Sequence, residues 1–335
     1  MGSDIVDIRH FSARDFAPLL EAESKVWGVN LHWDYASSAR LISNCLEEKR
    51  LSGYALVNQH RIEGYSFFFY DDQKALIGDL FVRSDGVGLD QARLLVEHVV
   101  ETLLATPQLR RVEAQLPHFG LADLEPCFRS RGFRGYQRRF MSAPLKGRAS
   151  AVQAAELRAF DPRDSRWAPA GAGRLKDFLL APWEQKHDRQ AAQLLYHAYR
   201  DHVDAVINDQ YGSVEGSTRL LENIVHHRGC GKYLAQSSLV AIHRPTWKLA
   251  GLLALTAVHS STAHIPQVAI GREFQGLGLG TAMMKLSLAG LARSGYREVS
   301  LTVTDQNSGA VRLYERLGFE TLRTFGAFVW ERAPE

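Results

Sequence analysis

The chain has 335 residues, 45% of them hydrophobic and 23% charged, with a net charge of +3 at pH 7. That is room for two domains with ordinary cores; the charge is too small to argue for nucleic acid, and no apolar run approaches membrane-spanning length. Cys45, Cys127 and Cys230 are scattered and odd in number, which excludes a disulfide frame or a cysteine metal cluster. With no signal-peptide pattern at the N-terminus, they point to a reducing, cytoplasmic setting.

The first elements read as a short strand at Ile5–Ile8 and a helix after Ser12 that uses Phe16, Leu19, Leu20 and Glu23 on the way to Trp27. Strands are expected at 54–57, 62–70 and 75–82. A helix with an apolar stripe follows over about 90–104 and is closed by Pro107. Arg111–Leu116 is again a strand. A short helix around 122–131 ends at Gly132-Phe133, and two short strands are expected between Phe133 and Met141. Arg129, Arg131, Arg134, Arg138 and Arg139 cluster here and read as a solvated face or strand edge more readily than as a polyanion site. From about Lys146 to Arg174 the chain is rich in Ala, Pro, Gly and charge, the composition of a connector, in which Phe160 and Trp167 suggest a surface to lie on.

The second half repeats the order. Phe178–Leu180 is a strand, Asp188 is expected to cap a helix through Leu194, Leu195 and Ala198, and a second helix covers 217–225 and continues toward His226-His227, which reads as a helix end. Strands follow at 238–242 and 249–258. Val268-Ala269-Ile270 then runs into a turn holding Gly276, Gly278 and Gly280, and a helix starts at Leu279 with Ala282, Met283 and Leu286 on one face. Val299, Leu301 and Val303 alternate as a half-buried strand. Asn307 starts a helix with Ala310, Leu313, Tyr314 and Leu317 on one stripe, Gly318 stops it, and Phe319 opens the last strand. Gly132-Phe133 matches Gly318-Phe319, and Gly64 matches Gly251 at nearly the same offset. The reading is an internal duplication: domains at 1–145 and 177–335 joined by 146–176.

A strand, a glycine turn and a helix N-terminus form an anion site, because the backbone can come close and free N–H groups point outward. Gln275, Gly278 and Gly280 fit the pattern [QR]xxGx[GA], and Asn307, Ala310, Leu313, Tyr314, Gly318 and Phe319 fit NxxAxxLYxxxGF. In this order and spacing the segment from about residue 177 resembles the GNAT superfamily of acyl-CoA-dependent N-acyltransferases.

The resemblance implies an α/β (α+β) fold of two tandem GNAT-like domains, each a mixed, mostly antiparallel sheet flanked by helices with a splayed central strand pair. It implies acetyl-CoA as cofactor, held by Val268, Ala269, Ile270, Gln275, Gly276, Leu277, Gly278, Leu279, Gly280, Thr281, Asn307, Ala310 and Tyr314, with no metal. The backbone of Val268 and Ile270 would meet the pantetheine arm, and Pro266 would mark the bulge that parts the strands, an edge strand being the alternative. Tyr314 would protonate the leaving thiolate. The base is open: His264 is one candidate, and His259, Glu215, Glu222, Asp201, Asp204 and Asp209 are rivals. The acceptor would be an amine of a small molecule or peptide, taken up near residues 200–225, where Tyr211 and several acids would suit a cation, and near 325–330.

In the first half, ungapped alignment of Val82 with Ile270 puts Val87, Asp90 and Ala92 where Gln275, Gly278 and Gly280 stand. An Asp there would repel a pyrophosphate, and Gly86 with Gly88 would make only a shorter turn. Phe128 replaces Tyr314 and Leu121 replaces Asn307, so this half is read as scaffold without chemistry. The expected partners are an amine substrate but neither nucleic acid nor membrane, with a monomer or homodimer. Rival functions are an antibiotic-modifying or polyamine acetyltransferase and a non-catalytic acyl-CoA sensor.

Overall fold

The computed structural model describes residues 4–83, 88–146, 168–169, 173–227 and 230–333. Of the shorter turn expected at Gly86 and Gly88, Gly86 lies outside the described residues, as do the connector's Phe160 and Trp167, while Gly88 begins a helix. The chain forms two compact units, Met1–Arg139 with Arg323–Glu335, and Phe140–Leu322.

In the first unit, β1 (Asp4–Asp7), β2 (Ser52–Asn58), β3 (Arg61–Asp71) and β4 (Lys74–Val82) are antiparallel neighbours in chain order. β5 (Arg111–Leu116) runs parallel to β4, and residues 326–331 of the C-terminal strand pair antiparallel with its other edge. Helix α1 (Ala13–Leu31) begins at Ser12, whose side chain accepts from the Asp15 N–H while Asp15 accepts from the Ser12 N–H. This reciprocal cap fixes where the helix starts. Helix α2 (Ala36–Glu47) was not expected. It has no side-chain cap and buries only Ile42 and Leu46, so its sequence carries little signal. Helix α3 (Gly88–Leu104) buries Ala92, Leu95, Val96, Val99, Val100 and Leu103 against the sheet. At about 1.5–3 kcal/mol for each large side chain, that stripe is what holds it there. α4 (Leu121–Arg129) turns off at Gly132 (φ +83).

A single strand, β6 (Arg134–Pro144), replaces the two short strands expected between 133 and 141. Its residues from Phe140 on count with the second unit, where they lie beside a strand of that unit. There the Leu145 N–H donates to the Arg297 carbonyl at 2.8 Å, and Ser142 bonds the Glu298 carboxylate. Residues 323–335 count with the first unit through their pairing with β5. The expected boundaries, 1–145 and 177–335, follow the duplication in sequence; the compact units follow the strand hydrogen bonds.

The second unit orders its strands as β7 (Ala168–Pro169), β8 (Phe178–Pro182), β10 (Leu239–His243), β11 (Lys248–Ala257), β12 (Thr262–Ile270), β13 (Glu298–Thr304) and then the end of β6; β9 (Lys232–Tyr233) pairs with β11. One face carries α5 (Asp188–Tyr199) and α7 (Val214–His226), through Leu194, Leu195, Leu221 and Ile224. Between them is α6 (Val203–Ile207), a five-residue helix too short to show a period. Asp188 lies inside the first turn of α5 and accepts from the Trp183 indole N–H at 2.8 Å. The other face carries α8 (Leu279–Arg293), through Leu279, Met283, Met284 and Leu288, and then α9 (Ser308–Arg316). β14 (Glu320–Glu331) is the C-terminal strand.

β11 and β12 change register between Ala254↔Gln267 and Thr256↔His264. One residue of β11 there faces two of β12, Ile265 and Pro266, which is the bulge expected at the proline. β12 and β13 pair only over Thr262–Ile265 with Glu298–Leu301. Beyond the bulge they part, and the outer edge of residues 267–270 is open. The first unit repeats this: β4 and β5 pair only as far as Ile77 and Ala114, and Gly78 is the extra residue between Phe67↔Asp79 and Phe68↔Ile77. A β-carbon on Gly78 would stand 2.1 Å from the Phe67 ring, so glycine is required. Gly64 faces Val82 as Gly251 faces Ile270, the same offset read in the sequence.

Candidate active site

Where β12 leaves β13, a cleft of about 670 Å³ opens in the second unit. Val268, Ala269 and Ile270 form its strand wall, and Gln275, Gly276, Gly278, Leu279, Gly280 and Thr281 its turn and helix end. Asn307 and Ala310 from α9 stand opposite. The cleft thus gathers eleven of the residues picked out for cofactor binding. Leu277 is not part of the lining and packs against the core. Tyr314 and His264 are outside it too.

The turn needs its glycines. Gly276 and Gly278 sit at φ +74 and +90, a region that other residues enter only with strain. Gly278 is the N-cap of α8 and has no side chain to occupy the free N–H groups of the first turn. The Gln275 amide donates to the Ile270 carbonyl at 3.1 Å, pinning the turn to the strand end. Asn307 caps α9 by accepting from the Ala310 N–H at 3.2 Å.

The other wall comes from the segment that runs from the end of α5 into α6, with Ala198, Tyr199 and His202. The Tyr199 hydroxyl donates to the Val268 carbonyl at 3.1 Å and accepts from the Gln267 amide at 2.9 Å. Tyr211 donates to the Gln267 carbonyl oxygen at 2.8 Å, and its ring stacks on Tyr199 with centroids 4.2 Å apart. Five residues on from Tyr199, Asp204 accepts the Thr304 hydroxyl, and its own N–H donates to His202 Nδ1 at 3.1 Å. The segment therefore grips both lips of the cleft, β12 at Val268 and β13 at Thr304. Sequence reasoning named Tyr211 and Asp204 only as members of a region and missed Tyr199, His202, Gln267 and Arg316, which also lines the cleft. A tyrosine and a histidine at a helix end carry no spacing signal.

Tyr314 is 7% exposed, with its ring 5.9 Å from Phe319. Burial raises its phenol well above the ordinary range, and the charge of Asp204 raises it further. His264 stands apart from the cleft lining. It is buried, stacked on Phe140 with centroids 6.0 Å apart, and joined through Nδ1 to the Ser300 hydroxyl at 2.9 Å. Burial pushes its pKa down to about 3. The ring is thus reluctant to take a proton and lies outside the lining of the cleft. Of the rivals, His259, Glu215, Glu222 and Asp201 are exposed and Asp209 is half-buried. Asp204 alone is buried, at 9% exposure.

In the first unit Asp79 follows the bulge as Gln267 does, and it accepts from Tyr35 at 2.7 Å. Glu23, fully buried, accepts from Tyr65 at 2.7 Å and is hydrogen-bonded to Asp79. Phe128, standing for Tyr314, is buried in a stack on Phe328 with centroids 4.0 Å apart, and brings no hydroxyl. Among the described residues no three His, Cys, Asp or Glu side chains could hold a metal ion, and no helix is long and apolar enough to cross a membrane.

Fold and cleft define a pair of α/β units, of which the second has an open groove where two strands part. Residues 212–319 match the acetyltransferase (GNAT) family, so the chain carries a GNAT domain there. Fifty residues are 52% identical to the mycothiol acetyltransferase of Geodermatophilus obscurus, covering 15% of this chain and 16% of that one. Seventy-one residues are 41% identical to the mycothiol acetyltransferase of Kocuria rhizophila, covering 19% and 23%. The match thus spans less than a quarter of either relative. A tandem GNAT protein from the clavulanic acid biosynthesis pathway superposes with a TM-score of 0.56 at 15% identity, covering 99% of both chains. That likeness extends the GNAT fold to both halves of this chain.

Proposed function

We propose that the chain is an acetyl-CoA-dependent N-acetyltransferase, acting in its second unit on the amine of a small molecule or peptide. The observation that carries this is the cleft itself, which runs from the α8 N-terminus along the unpaired edge of β12 to α9. The first-turn N–H groups of α8 and the glycine turn suit the pyrophosphate. An extended pantetheine arm suits the strand edge of residues 267–270, which no longer pairs with β13. The thioester would then lie near the bulge, with Tyr314 as acid for the departing sulfur. Two relatives are named mycothiol acetyltransferases, which makes the amine acetylated by those enzymes one acceptor to include.

The test is thiol release from acetyl-CoA across a panel of amines, antibiotics and polyamines included, with calorimetry of CoA binding alongside. Turnover with at least one amine is expected. Tight CoA binding with no turnover on any amine would replace the enzyme with an acyl-CoA sensor. No binding would remove the cofactor assignment.

A further inference from the structure

We propose that a second pocket of the same unit, on the α5 side of the glycine turn, binds a nucleotide, with its base on Trp247 and its phosphate on Arg200, Lys248 and Arg272. The site itself needs no acyl transfer. Only the source of its occupant, the adenosine end of the cofactor or a separate nucleotide, rests on the acyltransfer reading of the neighbouring cleft.

The pocket measures about 560 Å³ and shares no lining residue with the cleft. That is room for a base, a sugar and a phosphate, and far more than an inorganic ion needs. Its floor is apolar and buried, Leu194 of α5 and Leu249 of β11. One wall is the face of α5 that carries Gln190 and Gln193, with Arg200 at the helix end. Trp247 and Lys248 bring in the start of β11, and Arg272 and Glu273 the turn after β12.

Three features select the ligand. The first is charge, since three cations line the pocket against the single carboxylate of Glu273. The Lys248 ammonium has no partner among the described residues. Arg200 and Arg272 reach only Asp201, at 3.8 and 3.4 Å, and that side chain is 76% exposed. Pairs so loose and so exposed contribute little, which leaves both guanidinium groups to a dianion. The second feature is Trp247. It is 67% exposed, and its backbone sits at φ +55, where a bulky residue is strained. The hairpin between β10 and β11 holds it there: the Trp247 N–H donates to the His243 carbonyl at 2.8 Å, and His243 Nδ1 bonds the Thr246 hydroxyl at 2.8 Å. Glycine would make that turn without strain. What the indole adds is an open aromatic face, on which a base stacks. The third feature is the pair of amides on Gln190 and Gln193, three residues apart on α5 and without partners among the described residues. Each offers donors and an acceptor to the edge of a heteroaromatic ring.

The pocket borders the cofactor cleft. Arg272 opens the turn Arg272–Phe274, and Phe274 lines the cleft. A nucleotide here therefore either continues from a pyrophosphate at the glycine turn or rests against that turn from the other side.

The experiment is calorimetry with adenosine 3′,5′-bisphosphate and with CoA, on wild type, Trp247→Gly and the double variant Lys248→Ala with Arg272→Ala. Glycine fits the backbone at 247, so the urea midpoint of Trp247→Gly is expected to be no lower than that of wild type. Its affinity for the bisphosphate is expected to fall about 5–150-fold, the loss of one stacked base. Removing both cations is expected to weaken the bisphosphate by about tenfold or more. If the bisphosphate displaces CoA, and Trp247→Gly weakens CoA by the same factor, the occupant is the cofactor's own adenosine end. If both bind at once and CoA affinity is unchanged in the variants, the occupant is a separate nucleotide. Wild type that takes up no bisphosphate at millimolar concentration, or variants that bind it as wild type does, would overturn the site. Wild type that binds the bisphosphate but no CoA would keep the site and overturn the cofactor reading of the cleft.

Discussion

Thr304, the last residue of β13, gives its hydroxyl to the carboxylate of Asp204 in the first turn of α6. Thirty-six residues earlier in the chain, Val268 of β12 takes the Tyr199 hydroxyl at 3.1 Å. These two bonds set the gap between strands that no longer pair. Loss of one should be felt both in stability and in the shape of the cleft. Thr304→Val keeps the volume and removes the donor. It is expected to destabilise the second unit by about 1–3 kcal/mol, the usual consequence of leaving a buried polar group short of a partner. Urea unfolding checks this, and an unchanged midpoint would mean that Asp204 is held by its other contacts.

Cofactor binding should depend on the turn more than on any side chain. Gly278 sits at φ +90, so Gly278→Ala should cost about 1 kcal/mol or more in backbone strain and weaken CoA binding modestly. Gly280 has an ordinary helical conformation, and a β-carbon there would only touch Ile270 at 3.4 Å. Gly280→Asp should therefore fold, yet abolish CoA binding, because its carboxylate would stand at the lip where pyrophosphate is expected. Calorimetry should give one site per chain in wild type and none in Gly280→Asp. A second site surviving the substitution would belong to the first unit.

The features legible in the sequence were those with a local cause. Gly276, Gly278 and Gly318 are demanded by backbone conformation, Pro266 marks a bulge, and the stripe of α9 is a period. Eleven of the cofactor residues read off those features line one cleft. What was not legible depends on contacts between segments far apart in sequence. His264 looked like a base by its offset from Val268, but β13 and Phe140 enclose it. Asp204 looked like one acid among several, and only its placement against Thr304 and Tyr314 sets it apart. The path of the last strand was hidden for the same reason: Gly326–Glu331 pair with β5, far back in the sequence.

In the first unit, Glu23 predicts a pH effect on stability. Burial, and then the charge of Asp79, raise its pKa well above the ordinary 4.5. The folded state therefore keeps a proton that the unfolded chain releases. The contribution is fully present below about pH 4.5 and is lost as pH rises toward the folded value, by up to about 1.4 kcal/mol per pH unit. Glu23→Gln keeps an acceptor for Tyr65 and a donor for Asp79 without a proton to lose. Its stability relative to wild type should therefore improve steadily from pH 5 to 8, as followed by urea midpoints. Parallel curves would show that Glu23 is ionised in the fold.

His264 predicts the opposite slope in the second unit. Its ordinary value is 6.5 and burial lowers it to about 3. The unfolded chain takes up a proton on this ring below pH 6.5, while the folded chain refuses it until about pH 3. Stability is therefore full above pH 6.5 and falls as the pH is lowered from there, by up to about 1.4 kcal/mol per unit. His264→Gln can still bond the Ser300 hydroxyl, so its loss of stability on acidification should be shallower than that of wild type. The same variant separates a structural ring from a catalytic one. Because the ring is closed off from the cleft and holds no proton near neutrality, the pH–rate profile for amine acetylation by His264→Gln should keep the wild-type shape between pH 6 and 9. A rate loss confined to neutral pH, recovering as the amine sheds its own proton, would return the base to His264 and require the strands around it to open during turnover.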